Sequence, residues 1–475
     1  MASVLMPHTL RCFLSLRVMG APPRKLTSER SGFAPIRSQN FRFPVPSAPL
    51  TFEDPQAFRE KSLWELVRAL GVFRLCSFPL LVNHFGKIMS FARTVLGKRG
   101  FSMVLRPFVY AQFVAGETEP EIDKSLRKMS SLGLRPMLAV PIEEDLGEST
   151  GEQRYDDNLA SMLECVRMSH SNSWSKDPMM QLKITALVSP ELCVKLTSLM
   201  KEQKYDLNFF VKAMDKEVVV TFPGLSESEN AHFLRGLCRL NQIGQASINK
   251  VRVLVDAEYT YMNTALSVIT MAMMKKFNQE DAWIWNTYQC YLKESRDLLL
   301  NAIRLSVDES FCLGIKLVRG AYMDKERKLA GKEGRDDPIH QSWAQTNESY
   351  NGSLEIMLNL ISQNPDRYKI IVATHNEESV RRTITQMDEL QISRDGGLVC
   401  FGQLLGMCDH VSLTLAQQGF SVYKSVPYGS VDDTLPYLAR RAQENRAVLQ
   451  GIRKERDLLR RELWRRLQGK FSGSK

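Results

Sequence analysis

Between residues 51 and 131 the apolar positions recur at three- and four-residue steps, first at Phe58, Leu63, Leu66, Val67 and Leu70, then at Ile122, Leu126 and Met129. That spacing gathers them on one helical face and predicts an all-helical segment. After Ser131 the pattern changes to short, nearly continuous apolar runs. There are eight: Leu134–Pro141, Leu182–Ser189, Val251–Glu258, Trp283–Gln289, Gly314–Arg319, Lys369–His375, Leu398–Leu404 and Ser421–Val426. Runs apolar on both faces are what parallel strands present when helices cover each side of the sheet. Helical patterns separate most of them, at Glu191–Lys201, Ala265–Phe277, Ser295–Ser306, Gln341–Ser362, Glu378–Leu390 and Asp409–Gln418. Eight such units predict an α/β fold, a (β/α)8 TIM-type barrel rather than an open doubly wound sheet.

The stretch between the second and third runs is too long for one crossover and predicts an insertion near residues 190–250. Its centre, Glu202–Lys216, is polar and weakly patterned. Past the eighth run, Asp432–Leu467 reads as one long helix, whose last turns carry Leu458, Leu459, Leu463 and Leu467 among arginines. The expected organisation is a leader and linker over 1–50, a helical region over 51–130, a barrel over 131–450 and a basic helical tail over 451–475.

Charge changes the picture. The chain has 475 residues and a net charge of +10, which raises nucleic acid or a membrane surface as partner. The first 50 residues hold seven basic side chains against one acid, and the last 25 hold nine against three. Each end therefore carries +6 and residues 51–450 carry −2, so the body is not basic and nucleic acid is disfavoured. The Arg-rich, acid-poor N-terminus has the composition of a mitochondrial transit peptide. The C-terminal helix reads first as a stripe packed on the barrel, and it is the remaining candidate for contact with anionic lipid. Nine cysteines without a Cys-x-x-Cys pair suit a reducing compartment. The histidines and cysteines show no metal-ligand spacing, so no metal site is expected.

Barrel active sites lie at the C-terminal ends of the strands. There the sequence puts Lys183, Asp256 and Glu258, Gln289, Lys316 and Arg319, Thr374, His375 and Asn376, and Gln403. Any one could be a satisfied interior or capping residue. So many polar strand ends at one mouth are harder to explain as packing, because buried charge without a partner is costly. In the helix after strand eight, Arg440 and Arg441 point about 100° apart and could clamp one anion. Glu444 is placed to brace either, although a surface Arg/Glu helix has the same spacing. No Gly-x-Gly-x-x-Gly or Walker sequence is present. The residues alone reach a barrel enzyme binding a small anionic substrate beside an anionic cofactor, and they do not name the reaction.

Four motifs extend this reading: Lys316-Leu-Val-Arg-Gly-Ala-Tyr322, Ala373-Thr-His-Asn376, Phe401-Gly-Gln-Leu-Leu-Gly-Met407 and Tyr437-Leu-Ala-Arg-Arg-Ala-Gln-Glu-Asn445. In this order, over roughly residues 130–450, the chain resembles the FAD-dependent proline dehydrogenase family. Val255-Asp-Ala-Glu258 and Asn286-Thr-Tyr-Gln289 fit as well. The resemblance implies a distorted barrel with FAD on the strand ends, and ring oxidation by hydride transfer to flavin N5, leaving a cyclic imine. It implies that Arg440, Arg441 and Lys183 hold the substrate carboxylate, Glu444 braces the arginines, and Asp256 and Tyr437 line the pocket. Lys316 would approach the flavin N5 and Tyr322 would pack near the flavin ring. Gln289, Val318, Arg319, Gly320 and Ala321 would contact the flavin and its pyrophosphate. Thr374, His375 and Asn376 would hold the rest of the cofactor, with Gln403 beside them. Bacterial members tend to read Arg-Leu-Val-Lys where this chain has Lys316-Leu-Val-Arg319, which exchanges the two cations. Ubiquinone is the implied electron acceptor, and a matrix enzyme peripheral to the inner mitochondrial membrane the implied setting.

One departure bears on substrate. Proline-specific members carry Tyr in a Tyr-x-Pro-x-Gly segment, and here Lys424-Ser-Val-Pro-Tyr-Gly429 puts Ser425 at that position. A hydroxyl in place of a phenol opens space over the ring and can donate or accept. The expected substrate is therefore trans-4-hydroxy-L-proline, with L-proline weaker. The alternatives are a proline-preferring enzyme, another barrel oxidoreductase using FMN, and a flavin-free basic adaptor for membrane or RNA.

Overall fold

Eight parallel strands close into a barrel in sequence order in the computed structural model, β1 pairing with both β2 and β8. They are β1 (Arg135–Ala139), β2 (Met179–Leu182), β3 (Arg252–Val255), β4 (Ile284–Gln289), β5 (Leu313–Val318), β6 (Tyr368–Ala373), β7 (Val399–Leu404) and β8 (Val422–Pro427). The expected barrel is present. The structure describes residues 50–142, 151–171, 174–202, 206–215, 221–447 and 449–472. The predicted transit segment lies outside the described residues, and Leu50–Lys475 form one compact unit.

The helices, in chain order, are α1 (Leu63–Cys76), α2 (Pro79–Asn83), α3 (Phe85–Leu105), α4 (Ala111–Phe113), α5 (Glu119–Ser131), α6 (Glu152–Ser171), α7 (Pro190–Glu202), α8 (Leu207–Met214), α9 (Glu227–Ser247), α10 (Thr260–Phe277), α11 (Ser295–Asp308), α12 (Met323–Glu333), α13 (Trp343–Gln363), α14 (Glu377–Glu389), α15 (Asp409–Gln417), α16 (Val431–Ala447) and α17 (Leu449–Ser472). A capping box opens α1, where Ser62 Oγ accepts from Glu65 N–H and the Glu65 carboxylate accepts from Ser62 N–H.

The barrel interior is filled by Met137, Met179, Leu254, Trp285, Ile371, Cys400 and Tyr423. Trp285 fits because Gly314 on the neighbouring strand has no side chain; a Cβ there would stand 2.5 Å from the indole. Below this layer an ionic network joins Arg252 to Asp281 (3.1 Å), Lys369 to Asp281 (2.5 Å) and Arg135 to Asp395. That end of the barrel holds the fold together and leaves the opposite mouth for chemistry.

Two expectations need correction. Strand two is Met179–Leu182, not Leu182–Ser189, and Ile184–Ala186 turn in a 3-10 helix. Ile184, Ala186, Leu187 and Val188 are completely buried, and an apolar run buried all round reads the same as strand or turn. The supposedly weakly patterned Glu202–Lys216 contains α8, which buries Leu207, Phe210, Ala213 and Met214. The long C-terminal pattern Asp432–Leu467 is helical as expected over α16 and α17, with residue 448 outside the described residues. α16 packs on α1, α2 and α3, and α17 packs on α1. As expected of a packed tail, α17 buries Leu458 and Leu459, while Arg466 donates to the carbonyls of Phe58 and Arg59.

Candidate active site

At the C-terminal mouth a cavity of about 60 Å³ opens between β1, β2, β3, β8 and α16. Its walls include Lys183, Asp256, Ser425, Tyr437 and Arg440, five of the predicted substrate residues, with the backbone of Ala139–Ile142 closing one side. Lys183 immediately follows β2 and donates to the Ile142 carbonyl at 3.2 Å, which holds its ammonium over the opening. Asp256 follows β3, and its Oδ1 accepts from Lys316 Nζ of β5 at 2.6 Å. This pair draws Lys316 to the pocket's edge. Arg441 is buried next to the cavity, its guanidinium 4.8 Å from the centre of the Tyr437 ring. The backbone of Glu444 continues α16, but its side chain lies outside the described residues.

Ser425 is buried on β8, and its Oγ donates to Gln181 Oε1 of β2 at 2.8 Å. Gln181 thus belongs to the site, although sequence reasoning missed it. Starting strand two at Leu182 left Gln181 outside the element and hid its inward direction.

Neighbouring strand ends build a second group. Gln289 is buried at the end of β4 and donates to the Glu258 carbonyl at 2.9 Å. Glu258 Oε1 accepts from Thr185 Oγ1 at 2.7 Å. Burial pushes the Glu258 carboxyl above its usual range, with the Lys183 charge opposing. The chain after β5 runs Val318, Arg319, Gly320, Ala321 and Tyr322, and Tyr322 adopts a left-handed backbone (φ 52°), a strained choice for an aromatic residue. Its ring lies 4.4 Å from that of Tyr259. Burial also raises the Tyr322 phenol, and the Arg440 charge opposes that shift.

The chain after β6 provides Thr374, His375 and Asn376. Thr374 Oγ1 accepts from Asn376 N–H at 3.0 Å, and Asn376 Oδ1 caps α14 by accepting from Ser379 N–H at 2.9 Å. The Asn376 side-chain oxygen is thus engaged by the fold. His375 Nε2 accepts from Leu404 N–H at 3.3 Å. Burial, with Lys424 and Arg441 nearby, pulls its pKa down to about 3, so the ring is neutral. Gln403 on β7 donates to the Thr374 carbonyl at 3.3 Å and accepts from Ser412 Oγ at 3.0 Å.

Arg319 tests whether this group fits an anionic cofactor. It donates to Asn347 Oδ1 (2.6 and 2.5 Å) and Ser379 Oγ (3.1 Å), and lies 4.8 Å from the Tyr350 ring centre. Its Nε is enclosed without a hydrogen-bond partner among the described residues, and burial lowers its pKa. A largely buried cation whose hydrogen-bond partners are a neutral amide and a hydroxyl is poised for an anion such as a pyrophosphate. The residues present therefore fit FAD. Asn347, near the start of α13, had no local sequence signal.

The family model described as "Proline dehydrogenase" matches residues 122–454. Over 425 residues the chain is 56% identical to the hydroxyproline dehydrogenase of Xenopus laevis, covering 88% of this chain and 90% of that one. It is 45% identical to the human hydroxyproline dehydrogenase over 428 residues (87% and 93% covered). It is 30% identical to human "Proline dehydrogenase 1, mitochondrial" over 550 residues (90% and 91%). Among solved structures, proline utilization A from Bdellovibrio bacteriovorus, inactivated by N-propargylglycine, superposes with a TM-score of 0.57 at 17% identity, over 82% of this chain and 37% of that one. That likeness establishes the fold.

Proposed function

Given that the chain belongs to the proline dehydrogenase family, we propose that it oxidises trans-4-hydroxy-L-proline, and L-proline more weakly, to the corresponding 1-pyrroline-5-carboxylate imine. It does so with FAD, passes the electrons to ubiquinone, and works in the mitochondrion. The relatives named hydroxyproline dehydrogenase are more similar to it than those named proline dehydrogenase, and one of the latter carries "mitochondrial" in its name.

The observation that carries the substrate reading is the small Ser425 at a cavity that also holds Lys183 and Arg440 on one side and Asp256 on another. A cyclic amino acid at neutral pH is a carboxylate and an ammonium a few bonds apart. The cations bind the first, with Arg441 reinforcing Arg440, and an arginine fork suits a carboxylate bidentately. Asp256, ion-paired with Lys316, faces the ring nitrogen. Tyr437 presents its ring to the aliphatic carbons. Where a tyrosine would press on the ring, the Ser425 hydroxyl leaves room for a 4-hydroxyl, and Gln181 holds it in place.

FAD, when bound, would supply the two-electron acceptor for the hydride leaving the carbon next to the ring nitrogen. Gln289, Lys316, Arg319, Thr374, His375 and Gln403 would hold it, with Val318, Gly320, Ala321, Tyr322 and the Asn376 backbone forming the cradle. The chain's own contribution is orientation: fixing the carboxylate sets which ring carbon is presented, and restricting that geometry is worth a large share of the barrier.

The test compares kcat/KM for trans-4-hydroxy-L-proline and L-proline on purified protein with an artificial electron acceptor, after identifying the released flavin. A clear preference for L-proline would overturn the substrate reading. A flavin-free, colourless preparation would overturn the enzyme reading.

A further inference from the structure

Residues 66–116 contain no Asp or Glu but seven basic residues: Arg68, Arg74, Lys87, Arg93, Lys98, Arg99 and Arg106. This stretch sits inside a body whose overall charge is slightly negative. It also carries most of the exposed apolar surface. Of seventeen large hydrophobic side chains exposed among the described residues, twelve fall between Trp64 and Phe108. Leu80, Phe91 and Met103 are 75%, 72% and 76% exposed.

The elements that carry this surface adjoin, α1 packing on α2 and α2 on α3. Trp64 of α1 meets Phe108 edge to face at 5.7 Å, and Arg74 stands over the Phe78 ring at 5.0 Å. On α3, which breaks its helical path at Gly97 (φ 66°), Phe91 and Val95 lie one turn apart among Lys87, Lys98 and Arg99. The opposite face is a packed core, where Val72, Val82, Phe101, Leu105 and Tyr110 join Val431, Tyr437 and Leu438 of α16. One side of these helices thus supports the substrate helix while the other offers grease and positive charge to solvent.

Soluble surfaces rarely leave an apolar patch of this extent uncovered. Arg93 and Lys98 pair with Asp432, and Arg106 with Glu117 and Glu121, while Arg74, Lys87 and Arg99 stand among the apolar anchors, which matches the interface of an anionic bilayer in both hydrophobicity and sign. No helix among the described residues is long and apolar enough to cross a membrane, so the surface would lie on the bilayer. We propose that the outer face of α1–α3 and the Arg106–Phe108 turn is a docking surface for an anionic phospholipid membrane, seated beside pocket helix α16. The role of lipid contact considered for the C-terminal helix passes to this surface, because α17 spends its apolar stripe on packing. The inference deepens the reading above by bringing the mouth to a membrane-dissolved acceptor. It rests on the surface alone, so vesicle binding and substrate turnover fail separately.

The flavin-loaded full chain would be sedimented with phosphatidylcholine vesicles and with phosphatidylcholine–cardiolipin vesicles, at low and high salt. It should pellet with the cardiolipin vesicles and be released by salt. Lys87→Gln with Arg99→Gln should weaken that binding about 25-fold, at about fivefold per basic residue. Phe91→Ser with Met103→Ser should weaken it by at least tenfold, with turnover of an artificial acceptor unchanged in both pairs. Arg460→Gln with Arg461→Gln on α17 should leave binding intact. No pelleting with cardiolipin vesicles, equal pelleting of the α3 variants, or loss only in the α17 variant would overturn the proposal. So would an oligomer that the Phe91/Met103 variant dissociates without affecting vesicle binding, since a second copy would then cover the patch.

Discussion

Ser425 is the position where a single substitution separates the two candidate substrates. In Ser425→Ala, Gln181 Oε1 loses the donor 2.8 Å away. If the Ser425–Gln181 pair reads a 4-hydroxyl, its loss costs about 1 kcal/mol of hydroxyproline binding, the net worth of one hydrogen bond. That is about a fivefold fall in the ratio of kcat/KM for hydroxyproline over proline. Ser425→Tyr is stronger, because a phenyl ring enters a cavity of about 60 Å³. Overpacking costs about 1–3 kcal/mol, and it falls on the substrate with the extra oxygen, so the ratio drops about five- to 150-fold. Steady-state kinetics with both substrates and one artificial acceptor measure it. Flavin content and unfolding temperature confirm that the site is intact. If Ser425→Ala and Ser425→Tyr lower both substrates by the same factor, the serine has a structural role only and the specificity argument fails.

Arg319→Lys keeps the charge but loses the planar fork on Asn347, so flavin should be released about tenfold more readily, read by fluorescence of the free cofactor. Asp409→Ala would strand two ammoniums, since Lys61 (2.6 Å) and Lys424 (2.7 Å) both pair with that carboxylate; urea unfolding should show a loss of about 3–5 kcal/mol. Those two lysines hold the Asp409 carboxyl well below its ordinary value of 3.8, so its contribution is present above pH 3.8 and is lost as pH falls below it. His375 works in the same direction over a higher pH range. The folded ring refuses a proton until about pH 3 whereas the unfolded chain accepts one near 6.5, so stability declines on acidification from about pH 6.5 downward. His375 is half-buried, so the effect at pH 5 should be at most about 2 kcal/mol, and His375→Gln should remove it from the pH profile of unfolding.

The barrel was legible because its signal is repeated. Seven of the eight strands lie within a residue or a few of the apolar runs, and each run is short, doubly covered and bounded by turns. Strand two is the exception. Met179–Leu182 and Ile184–Val188 are equally buried, and hydrophobicity reports burial rather than backbone direction. The same blindness explains Val67, counted with the core stripe of α1 yet exposed on the patch face. A helix that packs on one side and offers apolar surface on the other has no single polar face to orient it.

The site was legible where chemistry is local and hidden where it is supportive. Lys183, Asp256, Ser425, Tyr437 and Arg440 come from four separate stretches of chain and meet at one cavity, because the ends of parallel strands converge at one rim. Gln181, Asn347, Thr185 and Lys424 form no motif. They are visible only as partners: Gln181 accepts from Ser425, Asn347 from Arg319, Thr185 donates to Glu258, and Lys424 pairs with Asp409 and helps hold His375 neutral. Such residues fix rotamers and charge states of the groups that meet the ligand, and a fraction of an ångström in those positions decides rate. Specificity at Ser425 is accordingly a property of the pair: the serine removes bulk, and the glutamine two strands away in the closed barrel holds the hydroxyl in place. Introducing only the tyrosine therefore leaves the half-buried Gln181 without its donor. Ser425→Tyr combined with Gln181→Leu should recover stability relative to Ser425→Tyr alone while keeping the proline preference. If the double variant is no more stable than the single one, the phenol has found Gln181 as a new partner and the two positions do not act as a unit.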